Sequence, residues 1–320
     1  MDKQRKNIID KNEISQIYSF ELGGYSQKVL IEGKSKENPV IITLHGGPGT
    51  PIPFSVGCRG MFPLFTDNFI MVYWDQLGCG INDHKIDDDF KIKTFVEMTC
   101  DLISEVKKIF PDNKIYLFST SWGSVLSAFV SDIKQNEISG VVACGQIIKD
   151  IFFNDEVTEA LEKSNIPKKK LDIIKNTNSE NASSKELQLI SSCLTKYTDA
   201  YNNKNGRKSP MFSVIKGLLT SPDYKFKDFK AIMVNGYMGN NSLWNELLKI
   251  DLTDTLSGVK IPYIIIQGDT DIVASTKRAK ELVENSSNSN LKFCEVKDTG
   301  HFPGADMMEK IFEELTKIAK

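Results

Sequence analysis

The sequence predicts an α/β fold, in which a mostly parallel central sheet carries helices on both faces and is interrupted by an inserted helical domain. Three observations lead to this class. Short β-branched runs alternate with amphipathic stretches in the first half of the chain, a long polar and helical segment follows, and the alternation then resumes near the C-terminus. The 320 residues are 40% hydrophobic and 26% charged, which is typical of a globular chain and excludes collagen, coiled coil and disorder.

The first half of the chain contains five predicted strands, at residues 27–31, 40–44, 69–74, 114–118 and 140–144. Apolar side chains recur at helical spacing over residues 94–110, and Pro111 ends that helix. We interpret this helix as a crossover connection between two parallel strands.

The helical segment divides the predicted sheet domain into two parts. Residues 149–257 are polar and helical, whereas residues 262–267 and 291–296 again have the composition of strands, each followed by a predicted helix (276–284 and 306–319). We therefore expect a core of residues 1–148 and 258–320, with residues 149–257 as a helical domain inserted between its two parts.

Charge and targeting signals restrict the class of partner. Lys plus Arg number 40 and Asp plus Glu 42, so the net charge of −2 does not favour nucleic acid or an anionic membrane. No apolar run has the length of a signal peptide core or a membrane span, and the six cysteines show no CxxC pair or metal-like spacing. We expect a cytoplasmic protein with a small-molecule or short-peptide substrate and no metal, cofactor, nucleic-acid or membrane partner. The oligomeric state stays open.

A sharp strand-to-helix turn is predicted at Ser119-Thr120-Ser121-Trp122-Gly123-Ser124. Small residues two positions before and after Ser121 match the nucleophile elbow G-x-S-x-G, with Ser119 in the first glycine position. Small neighbours are needed because the nucleophile sits in a strained backbone conformation. A Ser-rich turn can also show this pattern by chance, without any catalytic role.

A glycine-rich loop, His45-Gly46-Gly47-Pro48-Gly49, follows the second predicted strand. In a hydrolase such a loop supplies backbone N–H groups to a developing oxyanion, here the N–H of Gly47 beside that of Trp122. Gly46 is a further candidate for substrate contact. A phosphate-binding loop is the alternative, but neither G-x-G-x-x-G nor G-x4-G-K-[ST] is present.

A nucleophilic serine needs a base and an acid, which follow it in the order acid, then histidine, in this type of architecture. Of three histidines, His45 and His84 precede Ser121, so His301 is the candidate base. The acid should follow the preceding strand, where Asp269 and Asp271 both stand, and we select Asp271. A helix-capping role is the alternative for His301.

These residues resemble the α/β-hydrolase superfamily and, within it, the proline iminopeptidase-like serine peptidases. The resemblance runs from about residue 27 to residue 320, excluding most of the helical segment, and rests on the glycine-rich loop, the elbow and a DQ-x-G-x-G-like turn that begins at Asp75-Gln76. It implies Ser121 as nucleophile, Asp271 as acid and His301 as base. It also implies that residues 149–257 form a cap.

Three positions depart from the family pattern: Leu77 replaces the usual Arg, Asn82 the usual Ser, and Ser119 the usual Gly. We expect the first two to loosen the turn. The iminopeptidases bind the substrate ammonium with acidic cap residues, since a buried ammonium needs a partner. The nearest match to the family's Trp-and-Glu stretch in the cap is Trp244 with Glu246, which we take as candidate substrate-binding residues.

The favoured function is a serine hydrolase, proline iminopeptidase-like, that cleaves a small peptide, amide or ester through an acyl-enzyme. A carboxylesterase acting on short acyl esters is one alternative. A non-catalytic ligand-binding protein with this fold is an alternative of another class. Epoxide hydrolase and haloalkane dehalogenase are disfavoured because they need Asp where this chain has Ser121.

Overall fold

The computed structural model describes residues 3–180, 182–202, 211–234 and 240–320. Within these ranges, eight strands form one sheet with the order β1-β2-β4-β3-β5-β6-β7-β8. The strands from β4 to β8 along this order pair in parallel, and β1 and β2 join one edge as antiparallel strands. The strands are β1 (Ile14–Leu22), β2 (Tyr25–Gly33), β3 (Val40–Leu44), β4 (Ile70–Trp74), β5 (Ile115–Thr120), β6 (Gly140–Cys144), β7 (Tyr263–Gly268) and β8 (Leu291–Val296).

Helices connect the parallel strands, which confirms the predicted α/β class. The connecting and flanking helices of the sheet are α1 (Lys3–Lys11), α2 (Pro63–Thr66), α3 (Ile92–Ile109), α4 (Trp122–Ile133), α12 (Thr276–Asn285) and α13 (Ala305–Ala319). Between β6 and β7 the described residues form α5 (Asp155–Glu162), α6 (Lys168–Lys175), α7 (Ser184–Tyr197), α8 (Met211–Leu219), α9 (Phe226–Val234), α10 (Asn241–Leu248) and α11 (Thr253–Ser257). No helix in the described ranges is long and apolar enough to cross a bilayer.

The sequence analysis did not predict α1 or β1. The strand β1 forms a hairpin with β2, in which Leu22 pairs with Tyr25 across the turn residues Gly23 and Gly24. Both glycines have positive φ, +59° and +79°, as a two-residue hairpin turn requires. The Gly-Gly pair between two β-rich runs is the signal that could have identified this hairpin.

The central strands are buried on both faces. Every residue of β3, β4, β5, β6 and β7 is buried, because helices cover both sides of a parallel sheet. Since parallel strands point the same way, the loops that follow β3, β5, β7 and β8 all leave from one edge of the sheet. This edge carries the glycine-rich loop, the turn at Ser121, and the loops after β7 (residues 269–275) and after β8 (residues 297–304). We call the last of these, which contains His301, the histidine loop.

The helical insertion, residues 149–257, starts and ends at one place on the core. Lys149 and Asp251 form an isolated antiparallel bridge, and the N–H of Leu252 donates to the carbonyl of Ile148 at 2.9 Å. The insertion therefore leaves the core and returns to it at neighbouring positions. The boundaries at residues 149 and 257 stay a prediction.

One buried carboxyl makes the stability of the fold depend on pH. Glu32 on β2 is fully buried, and its oxygens accept from the N–H of Gly60 at 3.1 and 3.0 Å. Burial raises the pKa of Glu32 from 4.5 to about 7, against the opposing effects of this hydrogen bond and of Arg59. The folded state therefore binds the proton more tightly than the unfolded state does.

We expect this contribution to stability to be complete below pH 4.5 and to be lost as the pH rises through 7. Glu32→Gln keeps an acceptor for Gly60 and removes the titration, so the variant should gain about 2 to 3 kcal/mol over the wild type between pH 5 and pH 8. Urea unfolding at both pH values measures this difference. Glu21→Gln, an exposed change on β1, is the control, and parallel pH profiles for wild type and Glu32→Gln would contradict the prediction.

Candidate active site

Ser121 stands at the sharp turn between β5 and α4. Its backbone has φ 48° and ψ −117°, a strained conformation that surrounding contacts must maintain. The N–H of Ser121 donates to the carbonyl of Cys144 at 2.9 Å, and the hydroxyl of Ser124 donates to the carbonyl of Ser121 at 2.6 Å. These bonds hold the turn from both sides and leave the Ser121 side chain partly exposed.

Two glycines allow the turn to approach β3 closely. A Cβ at Gly123 would lie 2.1 Å from the carbonyl oxygen of Leu44, and a Cβ at Gly46 would lie 3.2 Å from the Cβ of Ser121. Because backbone atoms cannot move aside easily, position 123 needs glycine. Gly46, a predicted substrate contact, lies directly against the serine.

Ser119 replaces the usual glycine without leaving a polar group unpaired. Its hydroxyl is 2.8 Å from that of Ser127 on α4, which is 3.0 Å from the hydroxyl of Tyr263. Tyr263 in turn donates to Oε1 of Gln146 at 2.6 Å. The departure from the family pattern thus adds a buried hydrogen-bond chain behind the turn.

The structure brings Ser121, His301 and Asp271 together. Nε2 of His301 lies 2.8 Å from Oγ of Ser121, and Nδ1 of His301 lies 2.8 Å from Oδ2 of Asp271. A neutral imidazole that donates from Nδ1 to the carboxylate presents Nε2 as an acceptor for the serine hydroxyl. This is the geometry that a nucleophile, base and acid require.

The two candidate aspartates have different partners. Oδ1 of Asp271 accepts from the N–H groups of Val273 and Ala274 at 2.9 and 3.0 Å, which aims Oδ2 at the imidazole. Asp269 instead accepts from the N–H of Thr299 at 3.2 Å. Asp271 is therefore the carboxylate that contacts His301.

The imidazole of His301 is confined by Gly145. This glycine has φ +63°, and a Cβ there would lie 3.0 Å from Cε1 and 3.2 Å from Nδ1 of His301. The backbone N–H of His301 donates to the carbonyl of Ala200 at 2.8 Å. The histidine loop thus rests on β6 on one side and on the helical insertion on the other.

The two predicted oxyanion donors, Trp122 and Gly47, each directly follow a residue of the serine site, Ser121 and Gly46 respectively. Trp122 is the first residue of α4, where backbone N–H groups lack partners inside the helix. Gly47 has φ +118°, and a Cβ there would lie 2.6 Å from the N of Gly49. Only glycine fits this tight turn, which follows directly on Gly46.

The hydrogen bonds of His45 give it a structural role. Its Nε2 accepts from the N–H of Gln76 at 3.0 Å, so Nδ1 carries the hydrogen and donates to the carbonyl of Gly46 at 2.9 Å. Burial lowers the pKa of His45 to about 4. The neutral ring joins the glycine-rich loop to the Asp75-Gln76 turn.

Gln76 also accepts at Oε1 from the indole N–H of Trp122 at 2.8 Å. The sequence analysis did not assign this supporting contact.

The Asp75-Gln76 turn is held tightly, contrary to the expected loosening. Asn82 accepts from the N–H of Lys28 at 2.7 Å and donates to the carbonyls of Lys28 and Asp75 at 2.9 and 2.6 Å. Leu77 is buried in the core. The amide of Asn82 is long enough to reach both β2 and the turn, which explains why the turn stays closed.

The carboxyl of Asp75 joins the turn to the helical insertion. It accepts from the N–H groups of Val56 and Ile81, both at 3.0 Å, and from the hydroxyl of Tyr224. Burial raises the pKa of Asp75 to about 6, with these hydrogen bonds acting in the opposite direction.

Of the two insertion residues predicted to bind substrate, Glu246 has another hydrogen-bond partner, whereas Trp244 is buried and its indole N–H has none among the described residues. Oε2 of Glu246 accepts from the N–H of Ile92 at 2.8 Å and so caps the N-terminus of α3. Trp244 is buried, with its ring centroid 6.3 Å from that of Phe152. Neither is among the residues that contact Ser121, Asp271 or His301 through a described hydrogen bond.

In the described part of the chain, no group of three or more His, Cys, Asp or Glu side chains could hold a metal ion.

Gly145→Ala should displace the imidazole of His301 slightly, because the new methyl group would lie 3.0 Å from Cε1 and 3.2 Å from Nδ1, closer than ordinary van der Waals contact. We expect the downfield proton resonance of the Nδ1–H to Asp271 hydrogen bond to weaken or disappear in the variant. Proton NMR at low temperature measures this. Gly24→Ala is a matched control, since Gly24 also has positive φ, +79°, but a Cβ there meets nothing within 4 Å. An unchanged resonance in Gly145→Ala would refute the expectation.

Comparison with known proteins identifies the family. Residues 39–306 match the model of a family described as alpha/beta hydrolase fold. The chain is 22% identical to a Bacillus subtilis protein named "Probable aminopeptidase YbaC", over 98% of this chain and 99% of that protein. It is also 22% identical to a proline iminopeptidase of Thermoplasma volcanium, over 80% of each.

A solved structure agrees with this assignment at the level of fold. The crystal structure of a proline iminopeptidase-related protein from Thermus thermophilus superposes with a TM-score of 0.58 at 18% identity, covering 95% of this chain and 96% of that one. Together with the sheet order and the assembled serine, histidine and aspartate, these matches show that the chain belongs to the α/β hydrolase fold family, within which it is similar to a proline iminopeptidase.

Proposed function

We propose that the protein is a serine hydrolase that cleaves a small peptide, amide or ester through an acyl-enzyme. The observation that carries the proposal is the continuous chain from Oγ of Ser121 to Nε2 of His301 and from Nδ1 of His301 to Oδ2 of Asp271, with both contacts at 2.8 Å. The names of the relatives, an aminopeptidase and a proline iminopeptidase, support the same class.

In the acylation step, Oγ of Ser121 attacks the substrate carbonyl carbon while Nε2 of His301 accepts the serine proton. Asp271 orients the imidazole and stabilises the imidazolium that forms. The tetrahedral intermediate collapses with loss of the leaving group, which takes the proton from Nε2. Water then repeats the sequence on the acyl-enzyme and restores Ser121.

The negative charge on the carbonyl oxygen is stabilised by backbone N–H groups. Trp122 provides one from the first turn of α4, where the helix dipole also favours an anion, and Gly47 provides the other from the glycine-rich loop. Removing one such donor typically costs about 10²- to 10³-fold in rate. The indole of Trp122 is anchored on Gln76, so its backbone is held in place before substrate binds.

An aminopeptidase and a carboxylesterase differ in what they require beyond this machinery. An aminopeptidase needs a carboxylate for the substrate ammonium, whereas a carboxylesterase does not. The Glu246 carboxylate is already engaged as the cap of α3, an observation that favours the carboxylesterase alternative. The overall similarity to the iminopeptidases favours the aminopeptidase.

A non-catalytic ligand-binding role is the alternative of another class. It is weakened by the unbroken hydrogen-bond chain of the triad, since a binding protein has no need to keep Ser121 aligned with a base in a strained conformation. Turnover of any acyl substrate distinguishes the two classes.

Ser121→Ala should abolish labelling by a fluorophosphonate probe and lower kcat by on the order of 10⁵- to 10⁶-fold. Ser131→Ala, on the helix α4 that follows Ser121, is the control and should label and turn over as the wild type does. Gel fluorescence and intact-protein mass spectrometry measure the labelling. Labelling that persists in Ser121→Ala would place the nucleophile elsewhere.

Asp271→Asn should lower kcat by about 10⁴-fold, because an amide favours the wrong imidazole tautomer. Asp269→Asn should leave kcat within a few-fold of the wild type, since this side chain contacts Thr299 and not His301. Steady-state kinetics on one ester measures both. Equal losses in the two variants would reverse the assignment of the acid.

Glu246→Gln should lower the thermal midpoint slightly, because a carboxylate at the N-terminus of α3 is worth about 0.3 to 1 kcal/mol. It should leave unchanged the ratio of kcat/KM for alanine anilide to that for acetylalanine anilide. A panel of proline and alanine anilides and short acyl esters, assayed with wild type and variant, measures this. A selective loss for the free-amine substrates would restore Glu246 as the ammonium partner.

A further inference from the structure

Two aromatic side chains lie next to each other beside the imidazole of His301. The ring centroid of Tyr201 lies 5.7 Å from that of His301 in an edge-on arrangement, and the ring of Phe302 lies 6.3 Å from it. The two aromatic rings are 5.0 Å apart. Tyr201 comes from the helical insertion and Phe302 from the histidine loop, so the pair joins both parts of the molecule beside the candidate base. We call Tyr201 and Phe302 the aromatic pair.

Backbone contacts fix the position of the aromatic pair. The N–H groups of His301 and Phe302 donate to the carbonyls of Ala200 and Tyr201 at 2.8 and 2.9 Å. The backbone of residues 199–201 passes so close to Gly300 that a Cβ there would lie 2.6 Å from the carbonyl carbon of Tyr201. The insertion and the histidine loop therefore pack directly against each other.

The two rings differ in exposure. Tyr201 is buried, and its hydroxyl lies 3.0 Å from that of Ser191, so its polar end is already paired within the protein. Phe302 is 37% exposed, although it is a large apolar side chain next to the base. The surface that the aromatic pair offers to a bound molecule is thus apolar.

The neighbours of the imidazole define where a substrate can approach. Gly145 covers the Cε1 and Nδ1 edge, and Asp271 occupies Nδ1. Nε2 faces Ser121 and is the atom that returns the proton. A leaving group must therefore depart beside Nε2, along a side of the ring that Gly145 and Asp271 do not cover.

We propose that Tyr201 and Phe302 form a leaving-group subsite that selects substrates whose alcohol or amine portion carries an aromatic or bulky apolar group. The inference rests on the proposed serine-hydrolase function and specifies its substrate. In the step concerned, the Ser121 Oγ to acyl carbon bond forms, the bond from the acyl carbon to the leaving oxygen or nitrogen breaks, and the leaving atom receives the serine proton through Nε2 of His301. The ring edges of the aromatic pair contact the departing group during this transfer.

Acetate esters with a constant acyl group test the subsite. Benzyl, cyclohexylmethyl and 2-hydroxyethyl acetate have alcohol portions that differ in apolar surface while all are alkoxide leaving groups. We expect kcat/KM of the wild type to favour benzyl over 2-hydroxyethyl acetate by about tenfold or more. Phe302→Ala should remove most of this preference, while Phe302→Leu should reduce the benzyl preference and keep the cyclohexylmethyl preference.

Matched variants separate the subsite from folding. Leu64→Ala removes another exposed apolar side chain, 51% exposed on α2, and should keep the wild-type ratios. Tyr201→Phe removes only the bond to Ser191 and keeps the ring, so it should also keep the preference, whereas Tyr201→Ala should lower it. Thermal unfolding checks that each variant is folded.

The measurements distinguish the two ways in which the inference could fail. If the wild type neither labels with a fluorophosphonate nor hydrolyses any of the acetates, the proposed function itself fails. If labelling at Ser121 and hydrolysis persist but the wild type has no apolar preference, or Phe302→Ala keeps it, the leaving-group subsite is overturned while the serine hydrolase stands. A loss of labelling rate in Phe302→Ala together with unchanged ratios would show that Phe302 only supports His301, which also overturns the subsite.

Discussion

The close approach of α4 to β3 at Gly123 is the constraint on which the site depends. With a carbonyl oxygen 2.1 Å from where a Cβ would stand, no other residue allows the helix to begin at this depth. That depth places the strained Ser121 at the carboxyl edge of the sheet, directly before the first turn of α4. This contact fixes the position of Ser121. The loops after β3, β7 and β8 then place Gly47, Asp271 and His301 around it.

Several buried polar side chains behind the serine are paired with one another, which restricts the movement of the loops that carry them. His45 is neutral and connects the glycine-rich loop with Gln76, and Gln76 holds the indole of Trp122. Asp75 and Asn82 close the same turn. Because a buried polar group without a partner is costly, each of these contacts makes the alternative loop positions unfavourable.

The helical insertion takes part in the site through its backbone. Ala200 and Tyr201 accept hydrogen bonds from the histidine loop, and Tyr224 donates to Asp75 beneath the glycine-rich loop. A movement of the insertion would therefore break hydrogen bonds on both sides of Ser121. This coupling gives the insertion an influence on the position of His301.

The sequence by itself determined the α/β class, the buried strands and the order of Ser121, Asp271 and His301, because hydrophobic periodicity and glycine spacing are local properties of the chain. It did not reveal the β1 hairpin, although the Gly23-Gly24 pair marks its turn. It also did not reveal the contact of Ser127 with Tyr263 or that of Asn82 with Lys28, since each joins residues far apart in sequence. It also assigned Glu246 to substrate, whereas the fold pairs that carboxylate with the N–H of Ile92. Only the tertiary structure decides such partners, because a polar side chain binds whichever complementary group packing brings within reach.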